Sequence, residues 1–437
     1  MKTTGLLISI GLLAASALPG YSQTTAAHQA ALKFMRGVSF GNSLEYATGH
    51  PAGGLVYNDS DFALARSEGF DHIRVPVAWH LYAGPGPAYT ISNSFFTRVD
   101  FMVTNAQARG LAVIVDEHHF DDLTTNPSAN TAKYYAIWKQ IAAHYASRPD
   151  TLAFELLNEP KDAATTAVMN PIYAEAIRQI RLTNQTRTIF VGPGQYNSVD
   201  QLASLQLPST DLNIIVTVHS YDPYYFTHQG AEWALPDTGT KGVLFPGPPL
   251  TPLTPALGIT HQWVLDWFRS YNTLPVSQNP SSASIIRAKL TIARNWASSN
   301  NRPVHVGEFG CYQKFTDTTS RLNYYRTARS VMDEFGLGWA MWDWKAGFHY
   351  ILNGRPDPLA LRTAMFPDLQ LVTPAGGTIK FTAAKGKTYV VERTTALTPI
   401  IQWQSISTQT LSTTQFLFTD PDASRQAGGY YRVRWIK

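Results

Sequence analysis

Glu159 and Glu308 each follow an apolar run, and a pair of carboxylates so placed can cut a glycosidic bond. The first run is Leu152-Ala-Phe-Glu-Leu-Leu-Asn158-Glu159-Pro160, and the second is Pro303-Val-His-Val-Gly-Glu308-Phe-Gly310. A run that reads as a strand and ends in an acid sets that acid where the strands of a barrel converge on substrate. Of two facing carboxylates, one protonates the departing oxygen while the other attacks the sugar or activates water. A single glutamate at a strand end is more often a cap or a salt-bridge partner. Here Asn158 precedes Glu159 and Pro160 fixes the exit of the chain, which suits a polar pair held rigidly.

Other strand ends add polar groups. Arg74 lies inside His72-Ile-Arg-Val75, where a buried guanidinium needs a carboxylate. Glu308 is the partner expected, a contact that would keep that glutamate ionised and ready to attack. The plainer reading is a salt bridge that only holds the barrel. His118-His119 closes the third run, and His219 with Tyr221 closes the sixth. Trp342 closes the eighth, well placed for a flat apolar platform under a sugar ring. Asp116, Glu117, Asp121 and Asp122 flank the histidines and raise the question of a metal. Neither His-x-His nor His-x-x-x-His occurs, so no metal is expected, and no organic cofactor.

The elements that must position these groups alternate from about residue 37 to 365. Strands are expected at Gly37–Phe40, His72–Val75, Ala112–Asp116, Leu152–Leu157, Thr188–Val191, Asn213–His219, Pro303–Glu308 and Gly338–Trp342. Most are short and apolar on both faces, as strands of a parallel sheet are. Amphipathic helices are expected between them, among them Phe95–Arg109, Ala132–Ala146, Tyr173–Thr183, Ile285–Ser298 and Ser320–Glu334. Asn93 or Ser94 and Ser320 are the expected N-caps, and Gly110 the C-terminal stop. Eight such units predict a (β/α)8 TIM barrel over residues 24–366. The stretch Leu235–Leu257, crowded with Pro, Gly and Thr, is a long loop after the sixth strand that either shapes a cleft or is a passive insertion. Past Phe366-Pro367, six short strands in residues 367–437 predict a small β-sandwich-like accessory domain. It loosely resembles modules appended to secreted bacterial proteins; carbohydrate binding is open, and a spacer or surface-attachment role at least equally so.

Residues 1–23 read as a secretory leader: Lys2, an apolar stretch from Gly5 to Leu18, then small residues up to Gln23. Export to the periplasm or the outside is therefore expected. No later segment is long and apolar enough to span a bilayer, so no membrane partner is expected. Cys311 is the one cysteine, which excludes an intrachain disulfide. Of the 437 residues, 44% are hydrophobic and 15% charged, which excludes wholesale disorder. Residues 368–437 hold eight Lys and Arg against four Asp and Glu, so the net +4 of the chain resides there and the larger domain is neutral. That balance suits a neutral polymer, and the spread of the surplus offers no nucleic-acid grip. A monomer is expected.

Several segments together resemble glycoside hydrolase family 5. They are Arg36-Gly-Val-Ser-Phe-Gly-Asn42-Ser-Leu-Glu45, His72-Ile-Arg74-Val-Pro, Val115-Asp-Glu-His118-His119-Phe, Leu157-Asn158-Glu159-Pro160, His219-Ser-Tyr221-Asp-Pro and Val306-Gly-Glu308-Phe-Gly310. Phe226-Thr-His228-Gln-Gly-Ala-Glu-Trp233 is similar to a subgroup of bacterial endoglucanases that hydrolyse β-1,4-glucans and often β-1,4-mannans. The resemblance spans roughly residues 35–350. It implies Glu159 as general acid/base and Glu308 as nucleophile, with Arg74, Asn158, His219 and Tyr221 around them. It implies that Asn42, Glu45, His118, His119, His228, Trp233 and Trp342 hold the sugars. The expected function is a retaining endo-β-1,4-glucanase, with a β-1,4-mannanase or dual enzyme as the alternative. A non-catalytic glycan-binding barrel is the alternative of another class.

Overall fold

The computed structural model describes residues 25–356, 361–366, 370–372, 378–382, 388–395, 403–412, 415–422 and 430–436. The leader expected at 1–23 and the domain junction at 366/367 fall at or beyond the edges of those stretches.

Eight parallel strands close on themselves in sequence order: β1 (Arg36–Ser39), β2 (His72–Val75), β3 (Ala112–Asp116), β4 (Leu152–Glu155), β5 (Ile189–Val191), β6 (Ile214–His219), β7 (Val304–Phe309) and β8 (Gly338–Met341). Strand β8 pairs with β1 through Arg36↔Trp339 and completes the barrel. Every residue of these strands is buried, because helices cover the outside and side chains fill the inside.

Alternation along the strands separates two layers inside the barrel. Ile114, Ala153, Phe190 and Ile215 form an apolar plug with Phe34 and the N-terminal helix Ala26–Ala31. Two residues further along the same inward face come Asp116 after Ile114, Glu155 after Ala153 and Arg74 after His72. The floor of the barrel is thus mainly apolar, with His72 and His305 buried among its rings, and the mouth is charged. A β-bulge at Gly307 shifts the register so that His219 pairs with Glu308 rather than with the preceding residue.

Helices Asn93–Ala108, Pro127–His144, Thr166–Arg181, Ala283–Asn300 and Thr318–Phe335 begin up to seven residues earlier than their apolar periodicity predicts. Their first turns are short of the repeating apolar stripe, whether polar as in Thr318-Thr-Ser-Arg321 or mixed as in Thr166-Ala-Val-Met169. The caps differ accordingly. Ser92 accepts from the Phe95 N–H, and Asp317 accepts from the Ser320 N–H, in place of Asn93, Ser94 and Ser320. The Ser320 hydroxyl instead accepts from the Phe245 N–H at 2.9 Å and anchors the proline-rich loop. Gly110, in the left-handed region at φ 72°, follows its helix as expected.

The 235–257 loop is fastened to the outer helices. Leu244 N–H donates to the Tyr271 hydroxyl at 2.7 Å, and Gln229 clamps Gly242 and Val243 through their backbones. Val243 and Phe245 enter the main core, whereas Leu250 and Leu257 stand fully in solvent. Thr238 of the loop also bonds Gly230 and Ala231, between His228 and Trp233.

The C-terminal strands form two antiparallel sheets around one core. One sheet has the order Gln370–Val372, Tyr430–Ile436, Thr388–Thr394, Gln404–Thr410; the other pairs Thr378–Thr382 with Gln415–Thr419. Ile379, Tyr389, Val391, Phe416, Tyr431 and Val433 fill the space between. Asp420 ties the sheets, accepting from Arg393 at 2.7 Å and from the Tyr431 hydroxyl at 2.6 Å. This is the sandwich-like arrangement the six short strands predict.

Candidate active site

Arg74 is the hub of the barrel mouth. It is wholly buried, and its guanidinium meets three carboxylates from three other strands. Nη1 donates to Glu308 Oε1 at 2.7 Å, Nε to Glu155 Oε2 at 2.7 Å, and Nη2 lies 2.6 Å from Asp116 Oδ2. Nη2 also donates to Asn158 Oδ1 at 2.8 Å. The expected Arg74–Glu308 contact is present, but Arg74 also holds the barrel through Glu155 and Asp116.

The two central glutamates sit in different surroundings. Glu308, in β7, is 7% exposed, and each of its oxygens has a donor: Arg74 on Oε1 and the Tyr221 hydroxyl on Oε2 at 2.8 Å. Glu159 does not close β4, which stops at Glu155. It lies in the following loop in the left-handed conformation (φ 45°), with its side chain 27% exposed. Its Oε1 faces His219 Nδ1 at 2.8 Å. One oxygen of Glu159, one of Glu308 and a nitrogen of His219 all lie within 4.8 Å of one another. That spacing matches the short separation of a double-displacement pair; an inverting pair is wider, leaving room for water between the acids.

Burial raises both acids, against different opposing groups. Burial pushes Glu159 up to about 7, opposed by Arg74 and Lys161. Burial also lifts Glu308 above the usual carboxylate value, opposed by His219, Arg74 and the Tyr221 hydrogen bond. Hydrogen bonding to the charged form favours it, so the direct donors on Glu308 favour ionisation there. Glu159 is the acid more open to the cleft.

The predicted sugar-holding residues ring this centre. His118 is held by Asp116 (Nδ1 to Oδ2, 2.9 Å), and its ring lies parallel to Trp342 at 5.9 Å between centroids. His119, in the left-handed region at φ 56°, meets Tyr46 at 5.2 Å. Asn42 is also left-handed, at φ 60°, and its amide donates to Ala52 O. Glu45 turns inward: its carboxylate accepts from the backbone N–H groups of Asn42 and Ser43, and burial pushes it up to about 7. Gly41 leaves space for both, since a Cβ there would come within 2.8 Å of Trp342 and 3.1 Å of Glu45 Oε1. On the opposite wall Tyr221, His228 and Trp233 gather against Phe348 at 6.0, 5.6 and 6.3 Å. Trp233 remains 60% exposed, an open ring at the rim.

Sequence reading alone misses Glu155, Asn197 and Phe348. Glu155 is legible in principle, because a charged residue two positions after Ala153 shares its inward face. Asp116 enters the sequence reading only as a neighbour of a metal question. Among the described residues, Glu159, His219 and Glu308 are the group whose ligand atoms lie close enough for a cation. Their atoms are already engaged, Glu308 by a guanidinium and a hydroxyl and His219 Nδ1 by Glu159. A cation would have to displace those donors, so the set fits hydrogen bonding better than metal binding.

The closed (β/α)8 barrel thus carries two close carboxylates at its mouth, both bonded to a polar ring of side chains. The chain belongs to glycosyl hydrolase family 5, the cellulase family, whose pattern its residues 36–347 match. It is similar to Endoglucanase 3 of Fibrobacter succinogenes, 31% identical over 356 residues, which cover 76% of this chain and 53% of that protein. The matched part thus spans about half the length of that relative. The fold is similar to endoglucanase Cel5A of Thermotoga maritima, with TM-score 0.67 and 30% identity, covering 77% of this chain and 98% of that one. A complex of that Cel5A with mannotriose aligns with TM-score 0.66 and 29% identity, covering 77% and 99%. No described helix is long and apolar enough to cross a membrane.

Proposed function

We propose that the protein is a retaining endo-β-1,4-glucanase in which Glu308 is the nucleophile and Glu159 the general acid/base. The observation that carries this reading is the asymmetric bonding of two acids within 4.8 Å: Arg74 and Tyr221 on Glu308, His219 alone on Glu159. Glu308 attacks the anomeric carbon while Glu159, protonated below about 7, gives its proton to the departing oxygen. Glu159 then takes a proton from water, which releases the sugar from Glu308. Asn158, oriented by Arg74, contacts the 2-hydroxyl. Trp342 and Trp233 support rings on either side, with Asn42, His118, His119 and His228 lining the groove.

The substrate is a β-1,4-glucan, supported by the endoglucanase relatives. The mannotriose complex of the Thermotoga enzyme favours a second reading in which β-1,4-mannan is also cut. Export through the leader at 1–23 would bring the enzyme to such polymers. Hydrolysis of carboxymethylcellulose, mixed-linkage β-glucan, glucomannan and mannan tests the assignment. Cleavage of at least one glucan, lost in Glu308→Gln, is expected. Activity undiminished in Glu308→Gln overturns the roles, and cleavage of mannan alone overturns the substrate.

A further inference from the structure

Asn197 is wholly buried and ends a run of three left-handed residues: Gln195 (φ 51°), Tyr196 (φ 61°) and Asn197 (φ 55°). Asparagine tolerates that conformation better than most side chains do. The run turns the chain after β5 back over the barrel mouth. Tyr196 N–H donates to Pro160 O at 3.1 Å, and Ser198 bridges to His219. The Asn197 amide is thereby set with Nδ2 3.2 Å from His219 Nε2. Its other end lies against Gly192, where a Cβ would come within 2.2 Å of Oδ1.

The opposite side of the same ring faces Glu159, with Nδ1 2.8 Å from Oε1. At that distance one hydrogen must lie between the two atoms. When Glu159 is ionised, that hydrogen is on Nδ1. Burial lowers the His219 pKa from its ordinary value and favours the neutral ring. Nε2 then bears a lone pair, and the group facing it must donate. Among the described residues that group is Asn197.

We infer that Asn197 is a positioning residue: it fixes the Nδ1–H form of His219, which occupies Oε1 of Glu159 and leaves the exchangeable proton to Oε2. The inference rests on the acid/base role proposed for Glu159. With Oε1 bonded to Nδ1–H in both protonation states, the carboxyl gives its proton from one oxygen and takes it back on the same one. The charged groups around the ring are Glu308, Glu155, Asp116 and Arg74, from β7, β4, β3 and β2; those around Glu159 are Glu308, Arg74, Lys161 and Glu155. Tyr221 and Tyr224 also face Glu159. Ionised Glu159 draws the hydrogen to Nδ1 from one side of the ring, and Asn197, donating to Nε2, holds the same form from the other.

Asn197→Asp tests this, since ionised aspartate has the same shape, tolerates the left-handed backbone and cannot donate. Asn197→Gly removes the side chain without strain at that φ, and thermal melting checks that each variant folds. Nitrogen NMR on protein carrying ¹⁵N-histidine reads the ring directly. The wild type is expected to show a protonated Nδ1 and a bare Nε2 at His219, and the aspartate variant to gain a proton at Nε2. In kinetics, the kcat/KM ratio of phenyl to dinitrophenyl β-cellobioside is expected to fall about tenfold in Asn197→Asp, because only the poor leaving group needs a placed proton. A protonated Nε2 with a bare Nδ1 in the wild type overturns the proposal. So does an equal loss on both substrates in a folded variant. If the wild type cleaves neither cellobioside, the glucanase reading fails while the NMR arm still decides the tautomer.

Discussion

The Tyr221 hydroxyl donates to Oε2 of Glu308 at 2.8 Å, while Arg74 holds the other oxygen of the same carboxylate. This bond favours the ionised acid and holds Oε1 and Oε2 in a fixed plane. Tyr221→Phe keeps the ring against Phe348 and removes only the donor. A hydrogen bond to a charged group is worth about 2 kcal/mol, so kcat should fall about thirtyfold with little change in melting temperature. Steady-state kinetics on a soluble glucan checks this; an unchanged kcat would mean that Arg74 alone orients Glu308.

Glu155→Gln separates the structural from the chemical work of Arg74. The guanidinium keeps Glu308 and Asp116 but loses the charged partner that both Nε and Nη2 donate to. Breaking a buried ion pair on one side costs about 3 kcal/mol or more, so the melting temperature should drop by several degrees. Activity per folded molecule should also fall, since Arg74 also orients Asn158. A variant as stable as the parent would show that Asp116 suffices as the counter-charge.

The pH profile should have its basic limb near the Glu159 value. Burial raises that carboxyl to about 7, so the proton it must donate is present below about 7 and lost above it. Glu308 must be ionised, which sets the acid limb above the usual carboxylate range because burial raises it too. Glu159→Gln, assayed with a dinitrophenyl glycoside, should lose the basic limb. Persistence of that limb in the variant would assign it to another group.

Trp342 lies parallel to His118 over the site and is held by the space at Gly41. Trp342→Ala should raise KM about tenfold, the equivalent of about 1.4 kcal/mol, with a smaller effect on kcat. Equal losses in kcat and kcat/KM would instead place its contact in the transition state.

Chelation gives a further check. Because Arg74 and Tyr221 already occupy the oxygens of Glu308, treatment with EDTA should leave hydrolysis unchanged. Loss of activity restored by a divalent ion would make Glu159, His219 and Glu308 ligands.

The eight strands are legible in the sequence because burial on both faces leaves short apolar runs with clear ends. The C-terminal strands are legible from their turn residues. Which of those strands neighbour one another is not, since Tyr430–Ile436 lies between Gln370–Val372 and Thr388–Thr394 through tertiary pairing alone. Helix starts are blurred where the first turns precede the regular apolar stripe. At the site, Arg74 and Glu308 can be paired on charge and burial. Glu155 hides because it stands inside an apolar run, and its inward phase shows only once Ala153 is known to face the plug. Asn197 hides because three successive left-handed residues leave no mark on a sequence.

The central claim is that Glu308 forms a bond to the sugar while Glu159 manages the proton. Incubation with a 2-deoxy-2-fluoro-β-cellobiosyl donor, followed by peptide mass mapping, tests it most directly. The account predicts a stable glycosyl adduct on the peptide containing Glu308, absent in Glu308→Gln. An adduct on Glu159 or Glu155, or no adduct with α-configured product released first from a glucan, would contradict it.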